Sequence, residues 1–155
     1  MFLIKLLIGV ACVVVCLNIS KQKVQNSKNY CDFYESLIIT CDGLIQEVSY
    51  KKRPISYLLQ LKFPSKDFEI LLKNYVKNNE KSYPNYVTND EIIKIDAFLS
   101  EVGKSDAESQ KTLVNAYKSE FERIKKESLE KYKNIKNVSL KVGFSLGVML
   151  FIMVI

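Results

Sequence analysis

A chain of 155 residues with a net charge of +6 has the length of one domain. Histidine and tryptophan are absent, which removes the commonest general base and the commonest metal ligand together. The basic excess is lysine interleaved with Asp and Glu, with Arg53 and Arg123 as the arginines. That pattern reads as solvated mixed-charge helices and argues against the arginine-dense stripe of a nucleic-acid binder.

The chain opens on "MFLIKLLIGVACVVVCLNI", read as an uncleaved membrane anchor over residues 1–19, since it nears the ~20 residues a bilayer needs. A secretory signal is one rival, with Lys5 in its basic region. No A-x-A-like site precedes Ser20. A lipoprotein signal is the other, because "GVAC" sets Ala before Cys12. Lys21, Lys23 and Lys28 follow.

The middle, residues 20–137, is helical in pattern. Tyr30, Phe33, Leu37, Cys41, Leu44 and Val48 step by three and four along a long first helix, widened by Ile38 and Ile45. Gly43 inside it costs roughly 1 kcal/mol relative to Ala and implies close packing. Cys41 reads as a small core hydrophobe; the four cysteines have neither zinc nor redox spacing. The helix must end before Pro54. "PISYLLQLKF" predicts a short helix, and "PSKDFEILLKNYVK" another with Phe68, Leu71, Leu72 and Tyr75 inward. "NNEKSYPNYV" reads as a loop. "TNDE" and "SDAE" predict capping boxes, Thr88 with Glu91 and Ser105 with Glu108. Gly103 closes the intervening helix, Ile92 to Val102, as a left-handed cap. The final helix then runs uninterrupted, its stripe carried by Val114, Tyr117, Phe121, Ile124, Ser128, Tyr132 and Ile135.

The chain closes on "KVGFSLGVMLFIMVI". Residues 138–155 read as a second transmembrane segment, short for a full span but extended by Val138 and Leu140, with Lys141 snorkelling. Ser139, Gly143 and Gly147 recur every four residues and offer a close-approach groove; Gly9, Cys12 and Cys16 offer the like on the first segment, so the two ends are expected to pack as a hairpin. Lysines flank the middle on both sides, which places it in the cytoplasm by the positive-inside rule. The expected fold is all-α: an antiparallel bundle of two long and about three shorter helices with membrane segments at both ends.

Glu47-Val48-Ser49-Tyr50, then Pro54-Ile55, then Gly103-Lys104-Ser105-Asp106, then "GFSLGVMLFIMVI" follow an order and spacing that resembles the stage III sporulation protein AB family over nearly the whole chain. "NNEKSYPNYVTND" departs most from the family pattern. The resemblance implies a structural role, like that of the cytoplasmic helical domain of type II secretion platform proteins (the F component). It implies a channel complex between mother cell and forespore, residence in the mother-cell membrane around the forespore, and support of forespore development. The implied partners are a secretion-type ATPase (stage III sporulation protein AA-like) and other membrane proteins of the complex. Glu47, Tyr50, Lys52 and Arg53, in the turn "EVSYKKRPISY", are the candidate partner-binding residues. An enzyme is not expected: the five glycines are scattered rather than forming a phosphate loop, and a triad lacks its His. No catalytic residue, cofactor, metal, nucleic acid or small-molecule substrate is expected. A membrane-anchored scaffold or adaptor outside sporulation, or a lipoprotein-type anchored domain, is the alternative.

Overall fold

Residues that recur at three and four positions share one helix face, and the computed structural model turns each such run into helix. It describes residues 2–50, 55–104 and 106–154; the side chains of residues 2–7, 9, 12, 47–50, 55–57, 140, 150, 153 and 154 lie outside the description. Four α-helices follow in order: α1 Phe2–Tyr50, α2 Lys66–Asn78, α3 Asn89–Glu101 and α4 Ala107–Val154, with a 3₁₀ turn at Ile55–Gln60. Among the described residues there is no strand, so the chain is all-α. It divides into two compact units, residues 29–127 and residues 1–28 with 128–155. Both α1 and α4 contribute to each.

In the unit 29–127, α1 is packed on two sides. Phe33 meets Phe68 of α2 edge-to-face at 5.5 Å between ring centroids, while Tyr34 meets Phe121 of α4 at 6.1 Å. Phe33, Leu37, Cys41 and Leu44 are buried as the spacing predicts; Val48 lies outside the described side chains. Tyr34 is also fully buried, because a helix with neighbours on both sides buries a wider stripe than one apolar row. Phe98 of α3 closes against Phe121 at 5.5 Å. The α1–α4 register is antiparallel: Lys118 pairs with Asp42 at 2.6 Å and Lys125 with Glu35 at 3.3 Å.

Two buried hydroxyls hold polar joints in this core. Ser36 Oγ donates to the Asp32 carbonyl at 2.8 Å and accepts the Ser65 N–H at 3.2 Å. Ser65 in turn is the N-cap of α2, its Oγ accepting the Phe68 N–H. A buried amide left unpaired costs about 1–3 kcal/mol, so Ser36 fixes where α2 starts on α1. The C-cap of α2 is Asn79 at φ 55°, a left-handed residue whose N–H returns to Tyr75 O. Asn tolerates that conformation better than most residues.

The short helix expected over 54–63 is present as a 3₁₀ helix with narrower bounds, Ile55–Gln60. Phe63 precedes Pro64, which disfavours helix there, and short connectors take the tighter 3₁₀ geometry. A Cβ at Gly43 would stand 3.1 Å from Leu61 Cδ1 and 3.3 Å from Leu58 Cδ2. The glycine thus seats this turn against α1, as the expected close packing requires. Gly103 has φ 88°, the left-handed C-terminal position expected of it. At the start of α4, the expected Ser105 cap lies outside the described residues; Asp106 Oδ2 accepts the Ser109 N–H at 3.2 Å. Burial pushes the Cys41 thiol up to about 12, consistent with a core hydrophobe rather than a nucleophile.

In the other unit α1 and α4 are again antiparallel, Gly143 lying by Cys16 and Ser20 and Gly147 by Val13. Among the described residues no helix is long and apolar enough to cross a membrane, so the structure does not show the two expected transmembrane segments. The side chains of residues 2–7, Gly9 and Cys12, which form much of the first apolar run, lie outside those residues.

Candidate functional site

Of the residues the sequence nominates for partner binding, Lys52 and Arg53 lie outside the described residues, and Glu47 and Tyr50 are described only as backbone of α1. The turn between α1 and the 3₁₀ segment is therefore not a described surface.

The small residues of the helix pair are described in part. Gly9 and Cys12 fall outside the described side chains, while Cys16, Ser139, Gly143 and Gly147 come together where α1 and α4 cross at close range. A Cβ at Gly143 would run into Ser20 Oγ and stand 3.0 Å from Ser20 Cβ and 3.3 Å from the Cys16 carbonyl oxygen. One at Gly147 would stand 3.2 Å from Val13 Cα. Glycine at both positions lets the backbones approach as no larger residue permits. Ser20, buried against Gly143, was not singled out by the sequence reading. Its signal was there, since the step of four from Cys12 to Cys16 continues to Ser20.

Beside this contact the two helices leave a groove of about 540 Å³. Cys16, Ile19 and Lys23 line it from α1, and Ile135, Val138, Val142 and Leu146 from α4, with Asn134 at the lysine end. Among the described residues, every exposed large hydrophobic apart from Ile70 and Ile93 belongs to this unit.

Charge is segregated in the same way. Residues 1–28 and 128–155 contain eight lysines and a single acid, Glu130, a net +7, whereas residues 29–127 carry 15 cations against 16 acids, a net −1. Its exposed lysines are Lys21, Lys23 and Lys28 on α1 and Lys131, Lys133, Lys136 and Lys141 on α4.

The unit 29–127 has a second polar system that periodicity does not announce, a set of phenol–carboxylate pairs joining the helices. Tyr30 donates to Glu91, Tyr86 to Asp67 at 2.6 Å and Tyr83 to Asp96 at 2.5 Å. Glu91 also accepts both the N–H and the hydroxyl of Thr88 at 2.8 Å. The expected capping box is thus present, and the same carboxylate ties α3 to α1. Burial pushes the Glu91 carboxyl up, but the bonds from Tyr30 and Thr88 outweigh it and hold it below its ordinary value. Asp67 and Asp96 are the acceptors that stitch the 83–86 loop to α2 and α3.

Burial first, and the facing carboxylates second, push the phenols of Tyr30, Tyr83 and Tyr86 well above the usual range. Their folded values exceed the unfolded value of about 10. The stability they contribute is therefore complete below about pH 10 and is lost as pH rises through the folded values. Urea midpoints of residues 29–127 are expected to fall between about pH 8 and about pH 11, and to fall less for Tyr83→Phe with Tyr86→Phe. An equal fall in the variant would show that these phenols carry none of the dependence.

A model of the family described as Stage III sporulation protein AB matches residues 59–155, which span α2, α3 and all of α4. No curated protein and no solved structure matches the chain.

Proposed function

This chain belongs to the stage III sporulation protein AB family, a structural family with a role in sporulation, and we propose that it serves there as a membrane platform for a secretion-type ATPase. The observation that carries the reading is the match over residues 59–155, which joins the bundle helices to the apolar end of α4. The exposed apolar residues and unbalanced lysines of the helix-pair unit support a membrane location. An apolar surface of that extent is poorly tolerated in water, and lysines gather on the cytoplasmic side of membrane segments. In this reading the helix-pair unit sits in the mother-cell membrane around the forespore, the unit 29–127 is the cytoplasmic part, and the turn at Glu47, Tyr50, Lys52 and Arg53 is the docking surface. The protein acts by holding its partner and not by chemistry.

Two measurements test this. The full-length protein is expected in the membrane pellet after carbonate extraction, and recovery of most of it in the soluble fraction refutes the anchor. Lys52→Glu with Arg53→Glu is expected to weaken capture of the ATPase by about 1–3 kcal/mol and to lower spore counts, with protein level and membrane recovery unchanged. Normal capture and sporulation in that variant would remove the turn as the docking surface.

A further inference from the structure

We infer that the groove of the helix-pair unit is a binding site for one anionic phospholipid, with its phosphate at the lysine end and an acyl chain along the apolar wall. The inference rests on the membrane location proposed above and adds a lipid class to it.

The groove is ordered as an amphiphile is ordered. Lys23 and Asn134 stand at one end, and Ile19, Val138, Val142 and Leu146 continue towards the other. From Asn134 to Leu146 the helix rises about 18 Å at ~1.5 Å per residue, close to the roughly 15 Å of one leaflet's hydrocarbon. Lys23 is the one charged residue among the described lining. Lys131 precedes Ile135 by four positions, which places it on the same face of α4, one turn beyond the polar end.

The lysines of this unit also have far fewer acids near them in the chain, one in this unit against 16 in residues 29–127. In residues 29–127, Lys73, Lys81, Lys94, Lys118, Lys125 and Arg123 each meet a carboxylate within 4.0 Å. Among the described residues, none of the seven exposed lysines of the helix-pair unit forms such a pair. Seven exposed lysines with Glu130 as the one acid of the unit repel one another, and the excess is relieved by an anion from outside the chain.

The choice of occupant follows from meeting both ends at once. A soluble anion would neutralise Lys23 and leave the apolar wall in contact with its surroundings. An apolar helix of another protein would cover the wall and bring no charge to Lys23. A phospholipid with a net negative headgroup satisfies the two together, and basic residues beside membrane segments are attracted to such lipids.

The test uses the full chain in a mild neutral detergent, with phosphatidylglycerol and phosphatidylcholine as probes and retained lipid read by native mass spectrometry. Phosphatidylglycerol is expected to be retained preferentially. Lys23→Gln is expected to lower its retention about fivefold, Lys23→Arg to preserve it, and Lys104→Gln in the other unit to leave it unchanged. Val142→Trp, which fills the groove, is expected to lower retention of both lipids, with circular dichroism reporting that the variant remains helical. Equal retention of the two lipids overturns the site, as does retention indifferent to Lys23→Gln. Displacement of the lipid by glycerol phosphate would make it a free-phosphate site, and a disulfide-linked dimer of Val142→Cys in place of bound lipid would assign the groove to a second copy; either result overturns the inference. Carbonate extraction separates the two levels. Release from the membrane defeats the anchor and the lipid site together, whereas a membrane-retained protein without lipid preference defeats the lipid site alone.

Discussion

Replacing Phe33 with alanine is expected to destabilise residues 29–127 by about 3–5 kcal/mol. Phe33 is fully buried and stands edge-to-face with Tyr34, Phe68 and Tyr86 at 6.1, 5.5 and 6.2 Å. It therefore joins α1, α2 and the loop before α3, and three neighbours must collapse into its space to heal the cavity. They are rings held elsewhere: Tyr86 by its bond to Asp67 and Phe68 by its place in the first turn of α2. Relaxation is limited, which puts the cost at the high end for a ring deletion. A domain of this size has about 5–15 kcal/mol in all, so the loss is a large share. Urea unfolding followed by circular dichroism checks it, with Ile93→Ala, whose side chain is 67% exposed, expected within about 0.5 kcal/mol of the parent. A Phe33→Ala cost below about 1 kcal/mol would mean that α1 does not sit between α2 and α4.

Substituting Gly143 with leucine is expected to separate α1 from α4 in the helix-pair unit. The first added atom already meets Ser20 Cβ at 3.0 Å and the Cys16 carbonyl oxygen at 3.3 Å. Ser20 Oγ can rotate away, but the backbone of α1 cannot, and overpacking of this kind costs about 1–3 kcal/mol. A crosslink reports the geometry directly. Val13 Cβ lies 3.5 Å from the Cβ position of Gly147, within the range of about 3.5–4.5 Å that a disulfide spans. With the native cysteines replaced, Val13→Cys with Gly147→Cys is expected to close under mild oxidation, and adding Gly143→Leu is expected to abolish the bridge. Undiminished crosslinking in the triple variant would show that Gly143 is not at the contact.

Much of the candidate site was open to inspection in the linear chain. Ser139, Gly143 and Gly147 are a four-residue step that any helix places on one face, and their small size is a property of the residues themselves. Ser20 escaped notice because a serine after an apolar run reads as the end of that run. Only a neighbouring helix at backbone distance makes it a buried contact. The groove was less legible still, because its walls come from residues more than a hundred positions apart and no local pattern links Lys23 to Val138.

The sequence by itself determined which stretches are helical and where most of them stop. Thr88 with Glu91, Gly103 and the prolines act within a few residues, so their effect is visible without a fold. It also determined one face of each long helix, since a three-and-four step is a local property of the chain. Only the tertiary structure decided how wide those faces are. Tyr34, Ser36 and Thr40 are buried because α1 has neighbours on more than one side, and no single-helix periodicity carries that number of neighbours. The tertiary structure likewise decided that Asp67, Glu91 and Asp96 would accept from tyrosines. A carboxylate's partner is whatever donor folding delivers within about 3 Å, and here the donors lie 13 to 61 positions away in the chain.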